Sequence, residues 1–573
     1  ATQTITWDGH SALNIQLKSD TQDLDEVVVV AYGTAKKSSF TGSASVVKAE
    51  QLEKISGSGF VESLQGMSAG VNVSNNAGTP GADPRIQIRG IGSMSGKTVP
   101  LYVVDGMPYD GALNSINPSD IESMTVLKDA AASSLYGSRA ANGVVVITTK
   151  KGKQGKPTIS FRGSWGTSDL AVPHPTKADP YQQMTTVWRS IYNDQYYKYG
   201  KSMQEAGDFA SQTMLSRHVV PRTNSKGETV YVTPFKWIGD VSKYVLHDGQ
   251  GNCWANPDLE MVWDEKDYDW YDAVFDKKLR QEYGLDLSGS SQNGKTQYFT
   301  SLGFLDDKGY ANNDFYKRYS FRANVTSEVN SWLSMGGNVA YSYARKNTRG
   351  YGRALVFSNT MNSPWLRNAD NTAWCVSEKT GERMYDYANN NAYFFGENPV
   401  GRGDYWNNSN DESFNSSEFS TVSAKYFAEV KLPFDLKFRT GVNLDDNTMN
   451  EYGYDSAIHG DGGQLAPYGV TVKTNGGSAT RKTTKTTSIT WNNLLTWDKT
   501  FGDHNLNAML GHEYYHFNQQ YTEAYGEGIM QLGQYELAST TMNWSNTSNR
   551  IRYALLSFFG KLDYNYANRY YLS

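Results

Sequence analysis

Residues 512–516 read His-Glu-Tyr-Tyr-His, the H-E-x-x-H pattern in which two imidazoles bind zinc and the glutamate acts as a base. That chemistry needs a helix, because only helical spacing brings both rings to one metal. The preceding residues 506–510 alternate between apolar and polar, which predicts a strand. On a strand, His512 and His516 lie about 13 Å apart and Glu513 points to the opposite face. The pattern therefore predicts neither a metal site nor a catalytic residue.

A second pattern, Gly90-Ile91-Gly92, is similar to the start of a phosphate-binding loop. Ser95 stands where the third glycine is required, and no long apolar helix follows. We therefore expect a tight turn that presents Arg89, and no nucleotide or other cofactor. The sequence also lacks the spacing of a Ser-His-Asp triad or of paired catalytic carboxylates, so it does not predict an enzyme.

The composition limits the class of protein. The 573 residues are 38% hydrophobic and 13% aromatic, with 39 Tyr. The net charge is −5, and the sequence has no stripe of basic residues that could bind the phosphates of a nucleic acid. No run approaches the roughly 18 apolar residues of a membrane helix, although alternating strands of a membrane barrel would escape such a search. The two cysteines, Cys253 and Cys375, leave open whether they pair.

Beyond residue 156 the side chains alternate with a period of two, which predicts strands. Alternation alone fits both a soluble sandwich and a membrane barrel, but long and short connections also alternate, as in outer-membrane barrels. The predicted strands are 158–166, 279–290, 296–305, 318–326, 331–343, 417–431, 434–444, 483–498, 504–517, 551–567 and one from Tyr570. The predicted long connections are 167–278, 306–317, 344–416, 445–482 and 518–550.

Three shorter segments precede these strands. Residues 1–20 end in an alternating pattern that predicts the last strand of a small domain. Residues 24–33 contain four consecutive valines, which predict either a buried strand or a tethered strand that pairs with another protein. Residues 38–151 mix short strands with a helix predicted over 129–136, which is typical of a compact α+β domain.

Five ordered motifs resemble the SusC/RagA family of outer-membrane transporters. Residues 24–33 resemble the segment that binds TonB, and 86–93, Ile-Gln-Ile-Arg-Gly-Ile-Gly-Ser, resemble the family's plug signature. Three further blocks resemble the rest of the plug: Pro100 to Pro108, Asn117 to Asp129, and Ser134 to Lys151. Five motifs in order are far more specific than one.

The resemblance implies a large antiparallel membrane β-barrel, 22-stranded when complete, with an N-terminal α+β plug inside its lumen. It implies four parts in order. Residues 1–20 are the remnant of a carboxypeptidase-regulatory-like extension domain, 21–37 the TonB box and linker, and 38–151 the plug. Residues 156–573 are the first half of the barrel, with long extracellular loops at 167–278, 344–416, 445–482 and 518–550.

The resemblance also assigns candidate site residues, while catalytic residues, metals and cofactors are predicted to be absent. The expected TonB-binding residues are Asp25, Glu26, Val27, Val28, Val29, Val30, Ala31 and Tyr32. The plug-signature residues are Arg89, Gly90, Gly92, Asp105, Gly106, Tyr136, Gly137, Arg139, Asn142 and Gly143. Loop aromatics suited to stacking on a substrate are Trp270, Tyr271, Tyr405 and Trp406.

The resemblance implies import of oligosaccharides, or alternatively oligopeptides, across the outer membrane of a Gram-negative bacterium of the Bacteroidetes. The partners that it implies are TonB, energised by ExbB-ExbD, a SusD-like lipoprotein lid and outer-membrane lipid, in a dimer of transporter-lid pairs. A surface-binding barrel that does not transport is the rival from another class. Such a protein would have no use for the valine segment.

Overall fold

A computed structural model describes most of the chain. It does not describe residues 1–26, 31–32, 37–42, 53–56, 58, 75–78, 83–84, 91–98, 129–133, 170–171, 174–175, 217–219, 225, 233–234, 270, 273–274, 312, 349–362, 366–371, 377–380, 384–413, 456–463, 466–470, 473–475, 532, 568 and 573.

The N-terminal part consists of a hairpin and a small α+β domain, the plug, whose central sheet has the order β3-β8-β9-β6-β7. Strands β6 and β9 are parallel and the other neighbours are antiparallel. The elements are β1 (Val27–Val30), β2 (Gly33–Lys36), β3 (Ala44–Lys48), α1 (Ala49–Leu52), β4 (Val71–Ser74), β5 (Arg85–Ile88), β6 (Leu101–Val104), β7 (Met107–Pro108), β8 (Ile121–Leu127) and β9 (Val144–Thr149).

The rest of the described chain is dominated by one antiparallel sheet of eleven strands, the wall, in which each strand pairs with the next one along the chain. The wall strands are β10 (Thr158–Thr167), β15 (Leu279–Ser290), β16 (Thr296–Lys308), β17 (Phe315–Glu328), β18 (Leu333–Asn347), β19 (Phe414–Lys431), β20 (Leu436–Asp455), β23 (Ser478–Phe501), β24 (His504–Ile529), β25 (Thr540–Tyr566) and β26 (Tyr570–Leu572). The loop between β20 and β23 contains β21 (Gln464–Leu465) and β22 (Thr471–Val472).

The two faces of the wall differ in polarity, as the period-2 pattern predicts. Phe321 and Leu510 on the outer face are 37% and 65% exposed, whereas Arg318 and Glu513 on the inner face are each 2% exposed. The inner residues are covered by the plug, with which they form hydrogen bonds and ion pairs. The sheet therefore places a polar face around the plug and an apolar face outside, the arrangement of a barrel wall in lipid. Among the described residues, no helix is long and apolar enough to cross a membrane.

The eleven predicted strands are present, but several predicted loops are too long. Strand β24 continues to Ile529 and β25 begins at Thr540, so their connection is 530–539 rather than 518–550. Strand β20 similarly runs to Asp455, and the connection after β16 is 309–314 rather than 306–317. The missed strand ends carry mostly polar side chains on both faces, and alternation of apolar side chains cannot reveal them.

The connection predicted as a long loop over 167–278 begins at residue 168, after β10, and contains a small folded domain. Its elements are α2 (Pro180–Asn193), a π-helical turn (Asp194–Lys198), α3 (Met203–Ser216), β11 (Val220–Thr223), β12 (Thr229–Val232), β13 (Val245–His247) and β14 (Cys253–Ala255). Asp179 and Gln182 form a capping box at the start of α2. Trp188 is fully buried at the centre of the domain, where its Nε1 donates to Ser211 Oγ at 2.9 Å. An apolar core thus orders this loop domain.

Replacing Trp188 by Ala should unfold the loop domain, because a buried Trp contributes about 3–5 kcal/mol through packing. We expect proteases to cleave within residues 180–261 of the complete protein carrying Trp188→Ala, under conditions that leave the unchanged protein intact. The matched control is Trp254→Ala, because Trp254 is 46% exposed. Equal cleavage of the two variants would contradict the assignment of Trp188 as the centre of this core.

Candidate functional site

The candidate site is the boundary at which the plug meets the inner face of the wall. Segment 105–120 of the plug lies along this boundary and begins with the turn Asp105-Gly106 between β6 and β7. Both turn residues have positive φ, 48° and 80°, as in the tight hairpin turns that favour Asp-Gly. The Asp105 carboxylate accepts hydrogen bonds from Thr149 N and Oγ1, at 2.9 and 2.7 Å, and from Asn338 Nδ2 on β18, at 2.8 Å. Asp105 thus joins the end of the plug sheet to the wall.

A second contact is formed by Asp120. The short helical turn Pro118–Asp120 is capped by Asn117, whose Oδ1 accepts from Ser119 N at 3.1 Å. The Asp120 carboxylate accepts from Ser301 Oγ on β16 at 2.6 Å and from Arg322 Nε on β17 at 3.4 Å. Asp120 and Arg322 are 3% and 5% exposed, so each compensates the other's buried charge.

The backbone of the plug is also held at Asn114, between these two contacts. Its carbonyl oxygen accepts from Arg318 Nη1 at 2.9 Å and from Tyr316 Oη at 3.0 Å. Both wall residues are 2% exposed. Hydrogen bonds from charged donors in such surroundings are stronger than neutral ones, so this carbonyl is a firm anchor for segment 105–120.

On strand β24, a third group of contacts holds the plug. Arg139 forms an ion pair with Glu513, and its guanidinium lies 4.7 Å from the centre of the Tyr515 ring. Tyr515 Oη donates to Asp110 Oδ2 at 2.7 Å. Glu513 and Tyr515 are each 2% exposed, so water is largely excluded from this group. We refer to Asp110, Arg139, Glu513 and Tyr515 as the latch.

Two buried tyrosines of the plug keep their protons at this boundary. Burial raises the pKa of the Tyr136 phenol, and the Glu513 carboxylate raises it further. Burial likewise raises the pKa of Tyr109, whose Oη lies 2.6 Å from Ser115 Oγ. Both phenols are therefore neutral at physiological pH, so the negative charges of the boundary come from carboxylates.

Several plug-signature residues shape the backbone rather than contact the wall. Gly90, Gly137 and Gly143 have φ of 94°, 61° and 87°. A Cβ on Gly143 would lie 2.8 Å from Ile88 Cδ1 and 3.1 Å from the Leu127 carbonyl oxygen. Only glycine therefore fits where the chain enters β9.

The remaining signature residues have different surroundings. Asn142 Nδ2 donates to Val99 O at 3.4 Å. Arg89 is exposed, with a φ of 58°. Gly92 lies outside the described residues. The helix predicted over 129–136 is described only from Ser134, where 3₁₀ turns are separated at Gly137.

The aromatic residues predicted to bind substrate lie mostly outside the described part of the chain. This applies to Trp270, Tyr405 and Trp406. Tyr271 is described, and its ring is stacked on Phe275 at 6.2 Å between centroids. The Lys177 ammonium lies 5.2 Å from the centre of the same ring. These contacts give Tyr271 a packing role at the base of the loop domain.

The predicted TonB-binding segment is described only at Val27–Val30, and Asp25, Glu26, Ala31 and Tyr32 lie outside the description. These four valines form β1, which pairs with β2 in a hairpin, with Val27 opposite Lys36 and Val30 opposite Gly33. The valine run therefore forms a strand, as its β-branched composition predicts.

The H-E-x-x-H residues lie on strand β24, as predicted from their flanks. His512 contacts Trp491 and Phe558 on the outer face, while Glu513 faces the plug and pairs with Arg139. Within the described residues, no group of three His, Cys, Asp or Glu side chains is arranged to hold a metal ion. Cys253 and Cys375 are not joined to each other in a disulfide bond.

Sequence reasoning missed the wall side of the boundary. The strand predicted at 318–326 includes Arg318 and Arg322 but gives them no partner, and Asp110 and Asp120 are not among the predicted site residues. A usable signal was present, since two arginines four residues apart share the inner face of one strand. Charged side chains on a covered face need partners, and the nearest candidates were acids in the plug.

Replacing Glu513 by Gln should loosen the plug, because Arg139, whose side chain is 19% exposed, would keep its charge without its counterion at a largely buried boundary. We expect a loss of about 3 kcal/mol, seen as a lower urea concentration at which trypsin cleaves within 38–151 of the complete protein. The control Asp498→Asn changes the exposed pair Lys437–Asp498, whose side chains are 47% and 51% exposed. If both variants release the plug at the same urea concentration as the unchanged protein, the latch does not hold it.

Replacing Asp120 by Asn should have a similar effect where the plug meets β16 and β17, because Arg322 would lose its buried counterion. The same urea titration should show earlier cleavage, and the double variant with Arg322→Gln should recover part of the loss. Asp435→Asn serves as control, since Asp435 is paired with Lys499 at an exposed turn. Strictly additive effects of the two substitutions would show that Asp120 and Arg322 are not coupled.

Comparison with known proteins agrees with this arrangement of plug and wall. Residues 36–144 match the family model of the TonB-dependent Receptor Plug Domain. The TonB-dependent receptor SusC of Bacteroides thetaiotaomicron is 26% identical over 577 residues, covering 97% of this chain and 49% of SusC. The TonB-dependent receptor P3 of Formosa agariphila is 27% identical over 586 residues, 99% of this chain and 48% of that protein. The chain thus spans about half the length of these relatives.

Among solved structures, the RagAB peptide importer in its open-open state matches 95% of this chain and 55% of the compared chain, with a TM-score of 0.65 at 23% identity. The closed-closed state gives a TM-score of 0.62 at 24% identity. At such identities the likeness concerns the fold, a plug against a large antiparallel wall. The plug model, the relatives that match along the whole of this chain and the likeness in fold together support its assignment to the SusC/RagA family of TonB-dependent receptors.

Proposed function

We propose that the protein imports oligosaccharides across the outer membrane, driven by TonB. The observation that carries this proposal is the plug, which is held against the polar inner face of the wall by hydrogen bonds and ion pairs. A polar lumen closed by a separate domain is an arrangement for controlled passage. The apolar outer face of the wall suits a location in lipid.

The energy for opening would arrive through residues 25–32. Strand β1 lies in a hairpin with β2, and the outer edge of such a strand can accept a further strand through main-chain hydrogen bonds. TonB, energised by ExbB-ExbD, would bind in this way and pull on the plug. Force on the linker reaches the plug first at β3, which pairs with β8 at the edge of the sheet.

The extracellular side would be served by a SusD-like lipoprotein. The loop domain gives the first long connection a folded surface on which such a lid could rest, with Tyr197 77% exposed and Tyr199 59% exposed. A dimer of transporter-lid pairs is the assembly that the family membership suggests. The relatives in Bacteroides and Formosa support a Gram-negative outer membrane as the location.

Oligopeptides are the alternative cargo, and a surface-binding barrel without transport is the alternative from another class. The peptide alternative is favoured by the likeness to RagAB, described as a peptide importer, although that likeness concerns the fold. A surface-binding barrel would need neither the valine segment nor a plug that can be displaced. Transport is thus the function that employs both features.

Deleting residues 25–32 from the complete protein should abolish uptake while leaving ligand binding at the cell surface unchanged, because only the TonB-binding segment is lost. The substitution Val28→Pro should act similarly, since Pro removes a main-chain donor from the strand. Val28→Ile keeps the strand and should keep uptake. Uptake of radiolabelled oligosaccharides by cells, compared with binding at 4 °C, measures both steps. Undiminished uptake by the deletion variant would favour the surface-binding barrel.

A further inference from the structure

The plug covers only part of the length of the wall strands on their inner face. Along β24, Glu513 and Tyr515 contact the plug, and both are 2% exposed. Asp445 on β20 and Ser488 on β23 are 2% and 1% exposed. Further along the strands, towards the long loops, the inward side chains of Asn447, Gln519 and Tyr521 are only half-buried. The lumen thus has an uncovered region beyond the plug.

The register of three strands defines which side chains line this region. Asn447 on β20 pairs with Thr486 on β23, which pairs with Gln519 on β24. The next inward row contains Met449, Thr484 and Tyr521. Because inward and outward residues alternate, these side chains share the face on which Glu513 and Tyr515 meet the plug. We refer to Asn447, Met449, Thr484, Gln519 and Tyr521 as the luminal panel.

Neutral hydrogen-bonding groups dominate the luminal panel. Asn447 Oδ1 accepts from Thr421 Oγ1 at 2.8 Å, which leaves its NH₂ group as a donor. Gln519 Nε2 donates to Thr486 Oγ1 at 3.1 Å, which leaves its carbonyl oxygen as an acceptor. A sugar hydroxyl both donates and accepts, so it can use the two amides together. The Tyr521 ring adds a surface on which the C–H face of a sugar can pack.

The rows beyond the panel carry an excess of acid. On these three strands, Glu451, Asp455, Glu523 and Glu527 face the lumen together with Lys482, so four carboxylates accompany one ammonium group among the described residues. Lys482 Nζ lies 3.3 Å from Glu523 Oε1 and is thereby compensated. The Tyr521 hydroxyl donates to the same carboxylate. The resulting negative potential opposes the approach of anionic ligands such as uronate or sulfated oligosaccharides.

The panel is poorly suited to a peptide. Strands β20, β23 and β24 are each hydrogen-bonded to neighbours on both sides, so the face presents no strand edge for main-chain pairing. A peptide would have to rely on the same few amides and hydroxyls, while its own backbone groups needed partners. Neutral amides, hydroxyls and one ring instead suit a ligand made of hydroxyl groups.

We propose that the luminal panel binds a neutral oligosaccharide before the plug moves. The proposal rests on the proposed function as an importer and narrows its cargo to uncharged glycans. It assigns Gln519 and Asn447 as hydrogen-bonding partners of sugar hydroxyls, and Glu451 and Glu523 as residues that exclude anionic glycans.

Gln519 and Gln520 provide a matched pair for the test, because they are adjacent, chemically identical and on opposite faces of β24. The complete purified protein would be titrated calorimetrically with neutral malto-, manno-, xylo- and fructo-oligosaccharides. Gln519→Ala should weaken binding of the preferred glycan about three- to tenfold, the value of one hydrogen bond. Gln520→Ala should leave it within about twofold. Asn447→Ala, with Asn450→Ala as its outward-facing control, repeats the comparison on β20.

Charged probes test the second part of the assignment. Oligogalacturonate should bind more weakly than the neutral glycans, and Glu451→Gln should raise its affinity. Three results would overturn the proposal: no binding of any neutral glycan, tighter binding of a mixed oligopeptide digest, or equal effects of the inward and outward substitutions. None of these results would contradict the proposed import function, which is contradicted only if uptake survives deletion of residues 25–32.

Discussion

The buried ion pairs between plug and wall are the constraint on which the rest of the structure depends. A seal made of apolar side chains would be held by the hydrophobic effect and would resist the entry of water. Arg139 with Glu513, and Arg322 with Asp120, behave differently. Removing one partner from such a pair is strongly destabilising, but water can replace both partners' contacts when the domains separate. A polar boundary therefore closes the lumen firmly and still allows it to open under force.

The period of two along each strand allows one element to serve three environments. On β24, Tyr514 and Leu510 face outward, Glu513 and Tyr515 hold the plug, and Gln519 and Tyr521 line the uncovered lumen. No helix could divide its residues so sharply, since its side chains spread around a cylinder. The same constraint explains why the His512-to-His516 pattern does not form a zinc site on a strand, because Glu513 lies on the face opposite His512.

Much of the fold was predictable from the sequence, because alternation reports directly on the two faces of a strand. The eleven wall strands and the Asp105-Gly106 turn follow from local patterns. The strand ends beyond residue 517 and the loop domain around Trp188 were not predictable, since polar strands lack alternation and the core of that domain joins residues far apart in sequence. The contacts between plug and wall could not be predicted for the same reason, since Asp110 and Tyr515 are separated by 405 residues.

The position of the luminal panel relative to the latch implies an order of events in the proposed transport cycle. Gln519 lies four residues beyond Tyr515 on the same strand, a rise of about 13 Å. Tyr515 in turn contacts Asp110, so the panel lies directly beyond the part of the plug that the latch holds. A glycan bound there would stand between the plug and the extracellular mouth. Withdrawal of the plug would then open a path on the periplasmic side of a lumen that already contains its cargo. Energy from TonB would thus be used mainly to break plug contacts, while selection of cargo would depend on wall residues that stay in place.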